Sequence, residues 1–165
     1  MWRSSMLWCA VVCILAVCAV NPALAYEGDE GDPIPGTFGV GLGLPYGGVG
    51  GNFETGQQTR LSVGVGWLPD NIGWNVGIKH YFQPLVVGEG SFSISAYYGV
   101  NQIQERIYIS PYSSSHEYDT DTGFSVGLGW TGDEIDLGIL VPFNDVPAGY
   151  EEYGPPVKIY IGYRF

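Results

Sequence analysis

The chain repeatedly alternates large apolar residues with small or polar ones, and this period of two limits what it can fold into more than any other feature. Residues 157–165 show the pattern most clearly: Val157, Ile159, Ile161, Tyr163 and Phe165 form one set, and Lys158, Tyr160, Gly162 and Arg164 the other. Successive side chains of a strand point to opposite faces, so such a run is a strand with two unlike faces. Comparable runs occupy residues 38–44, 61–67, 74–82, 92–98, 124–130 and 135–143, which makes seven strands with the last. The 26 Gly, 12 Tyr and 5 Trp are a β composition poor in helix formers. No segment after residue 25 carries a helical apolar stripe.

Alternation by itself fits a soluble sandwich, a lipocalin-like barrel or a membrane barrel, because each has one apolar face. The second face discriminates between them. A sheet with one side in water covers that side with Lys, Glu, Thr and Arg, whereas here it is mostly Gly, Ser and Asn. Small residues suit the cramped lumen of a narrow barrel. The apolar face also sorts its aromatics: Phe38, Phe82, Phe92, Trp130 and Phe165 fall at one end of their strands, and Trp67, Trp74, Phe124 and Phe143 at the other. Aromatic rings prefer the headgroup level of a bilayer, so two girdles around an aliphatic band are what a membrane selects.

A closed barrel with both ends on one side needs an even strand number. The weak stretch 49–54 supplies the eighth strand, after Pro45-Tyr46-Gly47-Gly48, which is good turn chemistry. The expected fold is therefore all-β: a single closed antiparallel transmembrane β-barrel of eight strands. Short periplasmic turns are expected at residues 55–59 and 131–133, and longer outer loops at 102–121 and 144–155.

Arg3, the apolar residues 7–20 and Ala23-Leu24-Ala25 read as an export signal over residues 1–25, cleaved near Ala25. Asn21-Pro22 interrupts the apolar run, which is short for a spanning helix. Cys9, Cys13 and Cys18 all lie in this segment, so the mature chain cannot rest on disulfides. Cys18 would carry a lipid only in a lipoprotein signal, and Val17 sits where such a signal needs a small residue. Residues 26–36 are acidic and broken by Gly and Pro, a solvated periplasmic leader, and residues 37–165 form the barrel. A net charge of −11 argues against nucleic acid as a partner.

The export signal, the girdled strands and the ending Tyr163-Arg164-Phe165 together resemble the small eight-stranded outer-membrane barrels, the outer-membrane protein A-like transmembrane barrel family. The resemblance implies a place in the outer membrane of a Gram-negative cell, with outer-membrane lipids and lipopolysaccharide as surroundings. It also implies periplasmic chaperones and a barrel assembly machinery that reads Tyr163 and Phe165 on the closing strand.

No catalytic, metal or cofactor motif rises above background, and no cofactor is expected. His80 projects to the apolar face without a Ser two residues away, and His116 follows Ser113, Ser114 and Ser115 in the outer connection, where proximity does not make a catalytic pair. Glu117, Asp119 and Asp121 are acidic at alternate positions, but the closing Glu of a calcium loop is absent. More informative are Lys79, Asp136 and Arg164 on the inward face, with Arg60 and Lys158 nearer strand ends. A charge in a narrow lumen must be paired or hydrated, so Asp136 is expected to engage Lys79 or Arg164. The outer connection carries Arg106, Tyr108, Tyr112, His116 and Tyr118, a mix from which adaptable binding surfaces are built. The expected role is non-enzymatic, structural or surface-interacting, with an outer ligand of open identity. A narrow pore or small-molecule carrier is the alternative, and a lipid-modifying enzyme follows both.

Overall fold

The computed structural model describes residue 34 and residues 36–68, 71–110, 113–144, 151–152 and 156–165, with their side chains except at 104–110, 113–118 and 151–152. The expected export segment 1–25, most of the leader and Tyr112 lie outside the described residues. The strands are β1 Gly36–Gly43, β2 Gly48–Gly56, β3 Thr59–Leu68, β4 Asn71–Tyr81, β5 Ser91–Ser110, β6 Ser113–Thr131, β7 Ile135–Pro142, β8 Glu151–Glu152 and β9 Lys158–Arg164.

From β1 to β7 each strand pairs antiparallel with the next, β7 pairs with β9, and β9 returns to β1. These eight strands close into a barrel, and β8 stands outside the ring, paired with β5 at Gln104↔Glu152. Closure removes the unpaired edges that an open sheet would present. The stretch that is weakest in sequence pairs along its whole length: β2 meets β1 from Gly43↔Gly48 to Gly36↔Thr55, and β3 from Val49↔Trp67 to Gly56↔Arg60. The start of β1, the end of β9 and the connections 57–58, 82–90 and 132–134 gather at one rim, the terminal rim. The turn 44–47, the end of β3 at Leu68 and the start of β4 at Asn71 lie toward the opposite, far rim.

The alternation sorts the side chains by face. Leu61, Val63 and Val65 of β3, Ile72, Trp74, Val76 and Ile78 of β4, and Leu137, Ile139 and Val141 of β7 stand exposed on the outside. Their neighbours Ser62, Asn75, Lys79 and Asp136 are buried inside. This is the reverse of a water-soluble fold, in which the apolar face is the hidden one.

Two expectations change. The connection 102–121 is a continuation of β5 and β6, paired from Gln102↔Asp121 to Ser110↔Ser113, and not a loop. Arg106, Tyr108, His116 and Tyr118 all have strand backbone, with Arg106 opposite Glu117 and Tyr108 opposite Ser115. On β6 the residues there are Ser, His, Glu, Tyr, Asp and Thr, with no apolar set to mark the period, and the extension is held as strand by its antiparallel backbone pairing with β5. The second change concerns the leader, whose residue Ile34 is buried instead of solvated. Its N–H donates to Leu85 O at 3.1 Å, and it packs with Tyr81 and Leu85 under the terminal rim.

Candidate functional site

The lumen is built by the inward set of each strand and by one turn that the sequence does not place there. Residues 44–46 form a 3-10 turn that ends on Gly47, whose φ of 65° is the left-handed conformation glycine adopts without strain. The turn folds back into the barrel, so that Pro45 and Tyr46 are buried. Glycine makes the space for it. A Cβ at Gly41 would stand 2.9 Å from Tyr46 Cε2, and added methyl groups at Gly50, Gly64, Gly66, Gly73 and Gly162 would strike the backbone of the turn or the Tyr46 hydroxyl. Tyr46 then packs with Tyr97, Leu140 and Tyr160 in an apolar cluster inside the barrel.

Below this cluster lies a charged centre. Lys79 Nζ donates to Asp136 Oδ1 at 2.6 Å and to Glu54 Oε1 at 3.4 Å, all three side chains being at most 2 % exposed. Tyr81 OH donates to Glu54 Oε2 at 2.9 Å, and Thr131 Oγ1 to Asp136 Oδ1 at 2.7 Å. Tyr46 OH reaches Asp136 Oδ2 at 3.2 Å, which ties the inserted turn to the charges. The Lys79 ammonium also sits 5.4 Å from the Tyr81 ring centre and 5.7 Å from that of Tyr160, a favourable placement over aromatic faces.

Two arginines hold the terminal rim. Arg60 donates through Nε to Gln57 O at 3.1 Å and through Nη2 to Ile34 O, with its guanidinium 5.2 Å from the Tyr81 ring centre. Arg164 donates to Gly132 O at 3.2 Å and to Thr37 Oγ1 at 2.8 Å. Of the charges singled out in the sequence, Lys79 and Asp136 thus meet, while Arg164 bonds the rim instead of either one. Glu54, Tyr46, Tyr81 and Thr131 belong to the centre and escape a reading by sequence. Glu54 could have been found from the parity of its strand, since Phe53 faces outward and Asn52 and Glu54 inward. Tyr46 could have been suspected from the excess of inward glycines, which leave a void that something must fill.

The outward aromatics fall at two levels. Phe92 lies opposite Trp130, with Phe82 bonded through its N–H to Phe92 O, and Phe38 stacks with Phe165 at 6.4 Å, all toward the terminal rim. Phe53, absent from the sequence reading of the girdle, stands level with Phe38. Toward the far rim Trp74, Tyr98 and Phe124 form a chain of ring contacts at 6.1 and 4.9 Å, Trp67 pairs with Ile72, and the Phe143 N–H donates to Phe124 O. Tyr163 and Phe165 pack edge to face at 5.0 Å beside the seam where β9 meets β1.

His80 Nδ1 lies 2.8 Å from Thr59 Oγ1 on the exposed outer face. Among the described residues no carboxylate bonds this pair, so the orienting third member of a catalytic set is missing. Asp119 and Asp121 each accept the N–H of the following threonine at 2.8 Å, and Asp121 also accepts from Asn144. No group of three metal-ligating side chains occurs among the described residues.

No protein-family model matches the chain, and no curated protein matches it in sequence. Among solved structures it is similar to the N-terminal beta-barrel domain of Pseudomonas aeruginosa OprF, with a TM-score of 0.43 and 14% identity over 81% of this chain and 100% of that one. The likeness is one of outline, and no functional residue passes from that protein to this one.

Proposed function

We propose that this chain is an outer-membrane β-barrel protein of a Gram-negative bacterium, exported by residues 1–25, with a structural or surface-interaction role. The observation that carries the reading is a closed wall whose outer face is apolar while the charges are buried inside. Only a closed barrel or a helix satisfies its backbone in hydrocarbon. Strands of about 9–11 residues tilted near 45° span the bilayer core, and β2, β3 and β4 have 9, 10 and 11. Outer-membrane lipids and lipopolysaccharide would surround the wall. Assembly machinery and chaperones would act on the closing strand.

The buried lumen favours a surface role over a constitutive pore. A channel wide enough for water leaves its lining accessible, but Lys79, Asp136, Glu54, Arg60 and Tyr46 are 0–1 % exposed. The unsupported His80–Thr59 pair is a poor basis for an enzyme acting on lipids. Cell fractionation tests the location: the protein should resist salt extraction and migrate faster on gels unheated than boiled. Release by osmotic shock would overturn it. Planar-bilayer recording tests the role, and a steady conductance from the intact protein would replace the surface reading with the pore.

A further inference from the structure

The far mouth of the barrel ends in a pocket of about 320 Å³, floored by the inserted turn at Gly43 and Leu44. It belongs to the fold and is separate from the charged centre. Its walls are apolar, contributed by Leu44, Leu68, Val100 and Ile103, unlike the Gly, Ser and charge that line the lumen below. Ligand pockets begin at about 300 Å³ and combine apolar walls with a few placed polar groups.

A β-bulge places the polar group. The register of β5 against β6 slips between Val100 and Gln102, so Val100, Asn101 and Gln102 are all buried, at 5, 3 and 4 % exposure, where a regular strand would alternate. Bulges re-aim side chains next to functional sites. Asn101 pins this one: its Nδ2 donates to Phe124 O, Ser125 Oγ and Asn144 Oδ1 at 2.9–3.0 Å, and Asn144 Nδ2 returns to Asn101 Oδ1 at 2.8 Å. Gln102, next to it and lining the pocket, is not satisfied in the same way. Its Oε1 is buried and has no hydrogen-bond partner in the protein. Lys158 also borders the pocket, itself held by another contact.

We propose that this mouth is a binding site for a small neutral molecule with an apolar body and one hydroxyl group, the hydroxyl meeting the Gln102 carboxamide and the body filling the apolar walls. A hydroxyl both donates and accepts, so it pairs with either end of a carboxamide. The inserted turn makes the site a closed cup, so the molecule is held there and not conducted. This reading deepens the proposed surface role and rests on it for its biological meaning. The pocket itself depends only on the fold.

Methyl NMR of the full mature chain in lipid nanodiscs, titrated with benzyl alcohol and separately with toluene, tests the site. Benzyl alcohol should shift Leu44, Val100 and Ile103 saturably and bind roughly fivefold to tenfold more tightly than toluene, the worth of one hydrogen bond. Gln102→Leu should erase that preference, and Leu68→Trp should block both probes. If a variant misfolds, the comparison of the two probes on the unaltered chain still decides. Equal, unsaturable shifts that extend to Ile78 and Ile94 on the outer wall would mean simple partitioning and overturn the site, as would a preference that survives Gln102→Leu. Should the membrane reading fail through release of soluble protein, the same titration runs in buffer, and the two failures stay distinct.

Discussion

The two sides of the lumen solve the same packing problem in opposite ways. Where β1, β2, β3 and β9 line it toward the far rim, the inward positions Gly41, Gly50, Gly64, Gly66 and Gly162 are glycine, and the space is taken by the turn between β1 and β2, Pro45 and Tyr46. Where β4 to β7 line it, the inward positions carry their own bulk and polarity: Lys79, Tyr81, Ser93, Ser95, Tyr97, Thr131 and Asp136. The glycine side is shaped by van der Waals fit. The polar side is shaped by charge pairing. The comparison teaches that glycine in a narrow barrel need not mean a pliant wall, because here it is a mould for one inserted element. The two sides meet at the charged centre, where Tyr46 OH of the inserted turn reaches Asp136 and Glu54 of β2 bonds Lys79 and Tyr81 of β4.

The most damaging change should fall on the polar side. Lys79→Met leaves Glu54 and Asp136 without the ammonium between them, and removing one partner of a buried ion pair costs about 3–5 kcal/mol. Urea unfolding in lipid vesicles measures the loss. A cost below 1 kcal/mol would mean that Arg60 and Arg164 already balance the carboxylates and that the pairing seen is incidental.

On the glycine side, Gly64→Val should drive the turn out of its mould, since a side chain there meets the Pro45 carbonyl, at about 1–3 kcal/mol for overpacking. All three cysteines lie within residues 1–25, so in a chain that starts at Tyr26 Ser95→Cys can report on the lumen through maleimide labelling. Labelling should be slow in the otherwise unaltered barrel and fast with Gly64→Val. If it stays slow while stability is unchanged, the glycines do not hold the turn.

Tyr46→Phe keeps the ring in the mould and cuts only the bond from the turn to Asp136, so the expected loss is about 1 kcal/mol. The same vesicle unfolding reads it, and a loss equal to that of Lys79→Met would make the tyrosine part of the charged centre. The smallest effect is expected for Ser93→Ala. Ser93 Oγ is buried with no hydrogen-bond partner in the protein, and its removal should change stability by no more than about 0.5 kcal/mol. A large loss would assign that hydroxyl to a network that includes water.

How much could be read beforehand differs between wall and lumen. The wall was legible because a period of two survives whatever packs around it: β3, β4, β7 and β9 lie where their apolar sets alternate. β2 was legible only through parity, since Val49, Gly50 and Gly51 give little contrast between faces. The hairpin extension beyond Gly99 was not legible, since β6 there is a run of Ser, Glu, Asp and Thr with no alternating apolar set, and the extension is seen only through its backbone pairing. In the lumen, the inward placement of Lys79, Asp136 and Arg164 follows from alternation, but their partners do not. Which charges meet depends on the register of strands far apart in sequence, and Lys79 and Asp136 are 57 residues apart.

By itself the sequence determined that this chain makes two-faced strands, that most of the large apolar residues share one face, and that the opposite face is mostly small or polar, Tyr81, Tyr97, Leu140 and Tyr160 being the large residues turned inward. These are local properties, set by the geometry of a strand and the order of residues along it. Only the tertiary structure decided that the turn at residues 44–46 enters the lumen, that Glu54 completes the charged centre, and that Arg60 and Arg164 serve the terminal rim. Turn chemistry sets how tightly a chain reverses and says nothing about the side to which the reversal leans. That direction is chosen by the void the inward glycines leave, which exists only once the barrel has closed.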